Sequence, residues 1–173
     1  MQAHAFWKAV TVDRSDLLGQ LLELLRDEGV RFCAIGGLAV NAYVEPVVTL
    51  DLDLAVAVAD MPRLEPALAA RFDVHRFPHS LNISLAGSDL RVQIQTDQRY
   101  AIFVDRAQPR DVLGIVLPVA DVKDLLQGKV WAAQDPARRA SKRQKDLADI
   151  ARLLEAFPDL RPSVPQDILV RLV

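Results

Sequence analysis

The sequence of 173 residues contains a single cysteine and no run of apolar residues long enough to cross a bilayer. One cysteine, Cys33, excludes an internal disulfide framework and fits a reducing compartment. The N-terminus has no basic stretch followed by an apolar run, the pattern of a secretory leader. We therefore expect a cytoplasmic protein that has no membrane partner.

Several kinds of site also lack their sequence signatures. The three histidines are not spaced as metal ligands, and there is no zinc motif, Walker loop or Ser-His-Asp set. The formal net charge of −2 gives no support for nucleic-acid binding by the whole surface. A local basic cluster does lie between Arg138 and Lys145.

The composition is that of a globular protein, with 51% hydrophobic and 25% charged residues. The length fits one domain over residues 1–173, with a core at about 15–118 and a helical part at about 121–173. Ser15 is the expected N-cap of the first helix, and Gly29 stands where a helix ends. Periodicity predicts helices at 15–28, 38–43, 60–71, 121–133 and 141–156, and strands at 30–35, 50–58, 72–77, 81–86, 90–96 and 113–117. This order predicts an α/β fold, a mixed β-sheet packed with helices and followed by a C-terminal helical hairpin.

Two glycines and two aspartates carry the strongest chemical signal. The buried run of the predicted first strand stops at Gly36 and Gly37, and Asp51 and Asp53 follow on the next strand. Strand residues alternate sides, so the two carboxylates share one face. They repel each other unless a cation lies between them, and Mg²⁺ is the natural oxygen-ligated one. Backbone N–H groups at the glycines suit a phosphate.

This pattern resembles the signature of the nucleotidyltransferase superfamily, a double glycine followed about a dozen residues later by an Asp-x-Asp pair. The context, Ala34-Ile35-Gly36-Gly37-Leu38-Ala39-Val40-Asn41-Ala42-Tyr43 and Thr49-Leu50-Asp51-Leu52-Asp53-Leu54, resembles the branch of the AbiEii-type toxins and many uncharacterised relatives. The resemblance implies that Asp51 and Asp53 bind Mg²⁺ against an NTP. It also implies that Gly36 and Gly37 seat the triphosphate.

A second match lies downstream, at Leu125-Leu126-Gln127-Gly128-Lys129 and Lys145-Asp146-Leu147-Ala148-Asp149-Ile150. The resemblance implies that Lys129 and Lys145 contact the nucleotide. It also implies that Asp146 acts as base or positions the acceptor. An ordinary solvated helix with charge pairs explains these residues equally well.

Two features depart from the family pattern. Many members carry a third carboxylate on a later strand as candidate general base, and Gln93 stands where it is expected. An amide can bind a hydroxyl but cannot take its proton. In addition, Val47 and Leu50 occupy positions that are often basic in relatives.

The resulting prediction is a Mg²⁺-dependent enzyme that moves an NMP from an NTP to an acceptor hydroxyl. The resemblance to the toxin branch implies tRNA as the acceptor and a cognate antitoxin as partner. Two alternatives stay open. One is an enzyme that modifies a small molecule such as an aminoglycoside or lincosamide. The other is a non-catalytic domain that binds a nucleotide or a partner.

Overall fold

The computed structural model describes residues 13–112 and 114–172. Within that part a seven-stranded mixed sheet has the order β3-β4-β5-β2-β1-β7-β6. The strands are β1 Phe32–Ile35, β2 Asp51–Val56, β3 Asp73–Phe77, β4 Ser80–Ser84, β5 Arg91–Gln95, β6 Gln108–Val112 and β7 Ile115–Val119. The helices are α1 Leu17–Asp27, α2 Gly36–Val40, α3 Met61–Ala69, α4 Ala101–Arg106, α5 Val122–Gln134, α6 Ala140–Ala156 and α7 Gln166–Leu169. The predicted α/β class is confirmed.

Alternation along the central strands separates the core from the polar face. In β2, Leu52 and Leu54 are fully buried, whereas Asp51 and Asp53 are half-buried on the other side. β5 repeats this pattern, with Val92 buried beside exposed neighbours. The leucine face of α1 packs into the same core as these strands. The sheet therefore presents apolar residues to one layer and polar residues to the other.

Two details of α1 decide where it begins and ends. Ser15 is not its N-cap, contrary to the sequence prediction. Asp13 accepts hydrogen bonds from the N–H groups of Leu17 at 2.8 Å and Leu18 at 3.2 Å, because its carboxylate reaches the first turn from four residues upstream. Gly29 follows the helix with φ +61°, as predicted for a glycine at a helix end.

The C-terminal helical hairpin is also confirmed. Asp121 caps α5 by accepting a hydrogen bond from the N–H of Lys123 at 2.9 Å. The pair α5 and α6 builds a second apolar cluster, in which Ile150 and Leu153 are fully buried. These helices contact α2, which directly follows β1. The hairpin is thereby held over the sheet where β1 ends and β2 begins.

Three elements were absent from the sequence prediction, namely α4, β6 and the four-residue α7. α4 has six residues, too few to establish a helical period. β6 is an edge strand that contains Pro109 and charged residues, which hide its strand character. The predicted strand at 113–117 is found at Ile115–Val119, and its first residue, Leu113, lies outside the described residues.

Candidate active site

A cleft of about 520 Å³ lies between the polar face of the sheet and the helical hairpin. One wall is formed by β2, β5, β4 and β3, and the other by α5 and the start of α6. Five of its lining residues are basic and three are acidic. The charged residues are Asp51, Asp53, Arg91, Lys129, Arg138, Arg139, Lys142 and Asp146. Both sequence matches thus face each other across one cleft.

Asp51 and Asp53, called the sheet pair below, point into this cleft from β2. Asp51 is held by two cations, with Arg91 Nε at 2.7 Å from Oδ1 and Lys142 Nζ at 3.2 Å from Oδ2. No hydrogen bond or ion pair within residues 13–112 and 114–172 reaches the carboxylate of Asp53. The two acids therefore share a face but differ in their surroundings.

Burial raises the pKa of the Asp53 carboxyl to about 6. That value is a net result, in which the charge of Asp51 adds to the effect of burial and the charges of Lys129, Lys142 and Arg138 oppose it. A half-buried carboxylate beside a like charge is a costly arrangement that a bound cation relieves. In this region the protein stores electrostatic strain that a positive ligand can release.

The sheet pair fits a divalent metal by its chemistry. Two carboxylates on one strand face offer oxygen ligands beside a cleft with room for phosphates. No group of three or more His, Cys, Asp or Glu side chains placed to hold a metal occurs in the described part of the chain. A metal at the sheet pair would therefore take its remaining ligands from substrate and water, as Mg²⁺ commonly does.

Gly36 makes room for Asp53. Its φ is +72°, which disfavours any residue with a side chain. A Cβ at this position would overlap the Asp53 carboxylate and lie 3.0 Å from Asp53 Cβ. At Gly37 the backbone is ordinary, and an added Cβ would meet only Asp149 Oδ2, at 3.5 Å. Of the two glycines, only Gly36 has to lack a side chain to leave room for the sheet pair.

Asp146 and Asp149, called the helix pair, project from α6 toward Lys129 on α5. Lys129 Nζ lies 3.1 Å from Asp146 Oδ1 and 2.8 Å from Asp149 Oδ2. Arg138 adds two bonds to Asp146, from Nε at 2.8 Å and from a terminal guanidinium nitrogen at 3.1 Å. The side chain of Asp146 is only 1% exposed. The helix pair is therefore already neutralised by cations of the protein.

The pKa of Lys129 shows the balance of these effects. Burial acts to lower it, but the charges of Asp149 and Asp146 outweigh burial and raise it. Lys129 thus stays protonated at neutral pH. A fixed ammonium group facing the sheet pair suits a polyanion such as a triphosphate.

A chain of hydrogen bonds ties the helix pair to the loop before β2. Arg152 lies 2.7 Å from Asp149 and donates to Asn41 Oδ1 at 3.0 Å and to the carbonyl of Glu45 at 2.6 Å. Asn41 in turn bonds both the N–H and the carbonyl of Val47, at 3.0 and 2.8 Å. The loop that precedes the sheet pair is therefore positioned by α6.

Gln93 lies beside Asp53 in the sheet. β5 runs parallel to β2, and its register pairs Arg91 with Asp51 and Gln93 with Asp53. The strand pairing thus places Gln93 next to the Asp pair, as the sequence predicted. An exposed amide stands at the position where the resemblance expects a third carboxylate.

Most of the predicted site residues meet in this cleft. The sheet pair, Gly36, Lys129 and Asp146 line it, whereas Lys145 is exposed and the structure does not bring it there. Gly37 lies behind the cleft next to Asp149. The roles assigned to these residues stay predictions.

Two cations that hold Asp51 were not identified from the sequence as its partners. Arg91 could have been found, since strand alternation puts it on the same face as Gln93. Lys142 is one helical turn before Asp146, so it shares the face of the helix pair. Nothing in the sequence shows the contact between Lys142 and Asp51, which are 91 residues apart.

No family model matches the chain, and no curated protein matches its sequence. Solved structures do match its fold. The antibiotic-resistance factor ANT(2'')-Ia is 13% identical, with a TM-score of 0.52 over 85% of this chain and 92% of that chain. The lincosamide antibiotic adenylyltransferase LnuA, solved with lincomycin bound, is 12% identical, with a TM-score of 0.53 over 83% and 99%. An antigenic nucleotidyltransferase-like protein from Paracoccidioides brasiliensis is 16% identical, with a TM-score of 0.50 over 78% and 72%.

These identities establish a shared fold and nothing finer. The chain has the α/β fold of nucleotidyltransferases, as its sequence predicted. The AbiEii-type branch is not among the findings and stays a prediction. No helix in the described ranges combines the length and apolar character needed to span a bilayer.

Proposed function

We propose that this protein is a nucleotidyltransferase that moves an NMP from an NTP to an acceptor hydroxyl. The observation that carries the proposal is the sheet pair facing Lys129 across one cleft, in a chain with the nucleotidyltransferase fold. ANT(2'')-Ia has also been solved with adenylyl-2''-tobramycin; it is 12% identical, with a TM-score of 0.52 over 85% of this chain and 96% of that chain. That complex supports nucleotidyl transfer as chemistry that this fold can house.

In the proposed reaction the acceptor oxygen bonds to the α-phosphorus of the NTP, and the bond from that phosphorus to the pyrophosphate oxygen breaks. Pyrophosphate leaves, and the hydroxyl proton passes to a carboxylate or to water. Mg²⁺ held by the sheet pair would offset the negative charge on the phosphates. Lys129 adds a fixed positive charge, and the backbone at Gly36 and Gly37 seats the triphosphate.

The surroundings of Asp146 favour a positioning role over that of a base. Both its oxygens already accept hydrogen bonds from Lys129 and Arg138. Its side chain is also only 1% exposed, so an acceptor hydroxyl has little access to it. We therefore propose that Asp146 orients Lys129 and Arg138 toward the nucleotide.

The acceptor separates two versions of this proposal. Resemblance to the AbiEii-type toxins favours tRNA as acceptor and a cognate antitoxin as partner, acting in the cytoplasm. The fold neighbours LnuA and ANT(2'')-Ia favour a small-molecule acceptor. A third candidate is a non-catalytic nucleotide-binding domain, and the amide of Gln93 beside Asp53 is the observation that favours it.

The test is label transfer from each of the four NTPs, with Mg²⁺, to bulk tRNA and to a panel of small hydroxyl acceptors. We expect the parent protein to label one acceptor class, and the double variant Asp51→Asn, Asp53→Asn to label none. Arg63→Gln, an exposed change on α3, serves as the matched control and should retain activity. If the protein binds Mg²⁺ and NTP but labels no acceptor, it is the non-catalytic nucleotide-binding domain. If it binds no NTP, the whole proposal is overturned.

A further inference from the structure

The half of the sheet formed by β5, β4 and β3 has an open polar face beside the candidate active site. Pairing in register places Gln93 beside Asn82 and Asn82 beside His75. These three residues, called the polar row, are exposed and line the cleft. The row continues from Asp53, which pairs with Gln93. A line of polar side chains without a carboxylate therefore leads away from the sheet pair across three strands.

The side chains of the polar row are not engaged by contacts within the described part of the protein. No hydrogen bond or ion pair to them is formed within residues 13–112 and 114–172, and the alternate residues Leu81, Ile83, Val92 and Ile94 are buried on the opposite face. Adjacent strands are about 4.8 Å apart, so the row extends about 14 Å from Asp53 to His75. An extended ligand with roughly two sugar rings fits this length.

The chemistry of the row selects a class of ligand. The amides of Asn82 and Gln93 each donate and accept hydrogen bonds, as hydroxyl groups do. The three acids of the cleft are not available to a cationic ligand at the row. Asp51 and Asp146 are ion-paired with basic side chains, and Asp53 is assigned to the metal. The five basic side chains of the cleft outnumber its three acids, so the net charge of the cleft repels a polycation.

We propose that the polar row is the acceptor subsite, and that it takes a sugar-bearing acceptor without positive charge. This inference rests on the proposed transferase function and deepens it. The acceptor hydroxyl lies at Gln93, next to Asp53, and the rest of the acceptor extends over Asn82 to His75. A ribose at the end of a nucleic acid and a free disaccharide share this chemistry, whereas a polycationic aminoglycoside does not.

The test measures binding to the protein saturated with Mg²⁺ and a non-hydrolysable ATP analogue. Three probes are compared by calorimetry: the dinucleoside monophosphate ApA, the neutral disaccharide cellobiose, and the polycation tobramycin. We expect ApA or cellobiose to bind, and the stronger of the two identifies the source of the sugar. Asn82→Ala should weaken that probe about fivefold, the size of one lost hydrogen bond, and leave the affinity for the analogue unchanged.

Gln108→Ala provides the matched control, since it removes an exposed amide from the opposite edge of the same sheet. It should change neither affinity. Asn82→Asp should weaken the sugar probe and improve tobramycin binding, because it places a carboxylate in the row.

Preferred binding of tobramycin by the parent, no binding of either sugar probe, or equal affinities in the parent and Asn82→Ala would each overturn the acceptor subsite. If the analogue still binds with Mg²⁺ in those cases, the proposed function survives. If the analogue does not bind, both proposals fail.

Discussion

The sheet pair on β2 and the helix pair on α6 differ in how fully the protein compensates their charges. In the helix pair each carboxylate lies between two cations of the protein. In the sheet pair Asp53 has a raised pKa and forms no ion pair with any residue of the described ranges. Each of the two glycines lies next to one of these pairs: a Cβ at Gly36 would meet Asp53, and a Cβ at Gly37 would meet Asp149. The helix pair thus stabilises the fold and orients cations, whereas Asp53 of the sheet pair, unlike Asp51, is left for a cation from outside.

Removal of the Asp146 charge should have the largest effect on stability. Asp146→Asn leaves Lys129 buried and Arg138 without its main partner, so we expect a loss of about 3–5 kcal/mol in the free energy of unfolding, measured by urea titration. Asp159→Asn, on an exposed residue, should stay within about 0.5 kcal/mol of the parent. A loss of transfer activity with unchanged stability and unchanged Mg²⁺–NTP affinity would identify Asp146 as a base and not as a positioning residue.

The opposite sign is expected at Asp53. Its pKa is raised from 3.8 to about 6 in the folded protein, so the folded state binds a proton more tightly than the unfolded state does. Stability therefore falls as pH rises from about 4 to about 6, and the full cost is present at pH 7. Asp53→Asn should raise the free energy of unfolding by up to about 3 kcal/mol at pH 7 in EDTA, and by little at pH 4. A variant less stable than the parent at pH 7 would contradict the electrostatic strain.

Substitutions at Gly36 and Gly37 should differ in their effect on stability. Gly36→Ala should cost about 2 kcal/mol or more, because φ is +72° and the new Cβ overlaps the Asp53 carboxylate. Gly37→Ala should be neutral or stabilising by about 0.5 kcal/mol, since its Cβ meets only an ordinary contact. Thermal unfolding of the two variants side by side is the measurement. Equal losses would show that the glycines serve only a turn.

Lys142 should have the smallest effect on stability. Its ion pair with Asp51 is partly exposed, so Lys142→Gln should change the free energy of unfolding by less than about 1 kcal/mol. It should nevertheless tighten Mg²⁺ binding without nucleotide, because the lysine competes for the same carboxylate. Calorimetric titration with Mg²⁺ alone measures this, and a weaker metal affinity in the variant would be the contrary result.

Local sequence patterns predicted the faces of single strands and the presence of the longer helices. Alternation in β2 put Asp51 and Asp53 on one face, and the α5–α6 hairpin followed from helical periodicity and the cap at Asp121. The position of Gln93 beside Asp53 was predicted from the resemblance to nucleotidyltransferases, since strand alternation alone does not fix which residues pair between two strands.

Contacts between distant segments could not be predicted in the same way. Arg152 reaches Asn41 and Glu45 from more than 100 residues away, and Lys142 reaches Asp51 only once α6 has packed across the sheet. The predicted N-cap of α1, Ser15, was wrong because the carboxylate of Asp13 accepts the hydrogen bond from the first turn instead. These contacts depend on how the segments pack in three dimensions, which the local sequence pattern does not determine.

Thermal unfolding shows whether Mg²⁺ and nucleotide bind together at the sheet pair. The parent and the double variant Asp51→Asn, Asp53→Asn are compared with Mg²⁺ plus each of the four NTPs, with Mg²⁺ alone, and with NTP plus EDTA. Ligand at about 100 times its Kd should add about 2.7 kcal/mol to the stability of the parent, which raises its Tm only when Mg²⁺ and NTP are both present. We expect no such rise in Tm for the double variant, and an equal rise in both proteins would show that the sheet pair does not bind the metal.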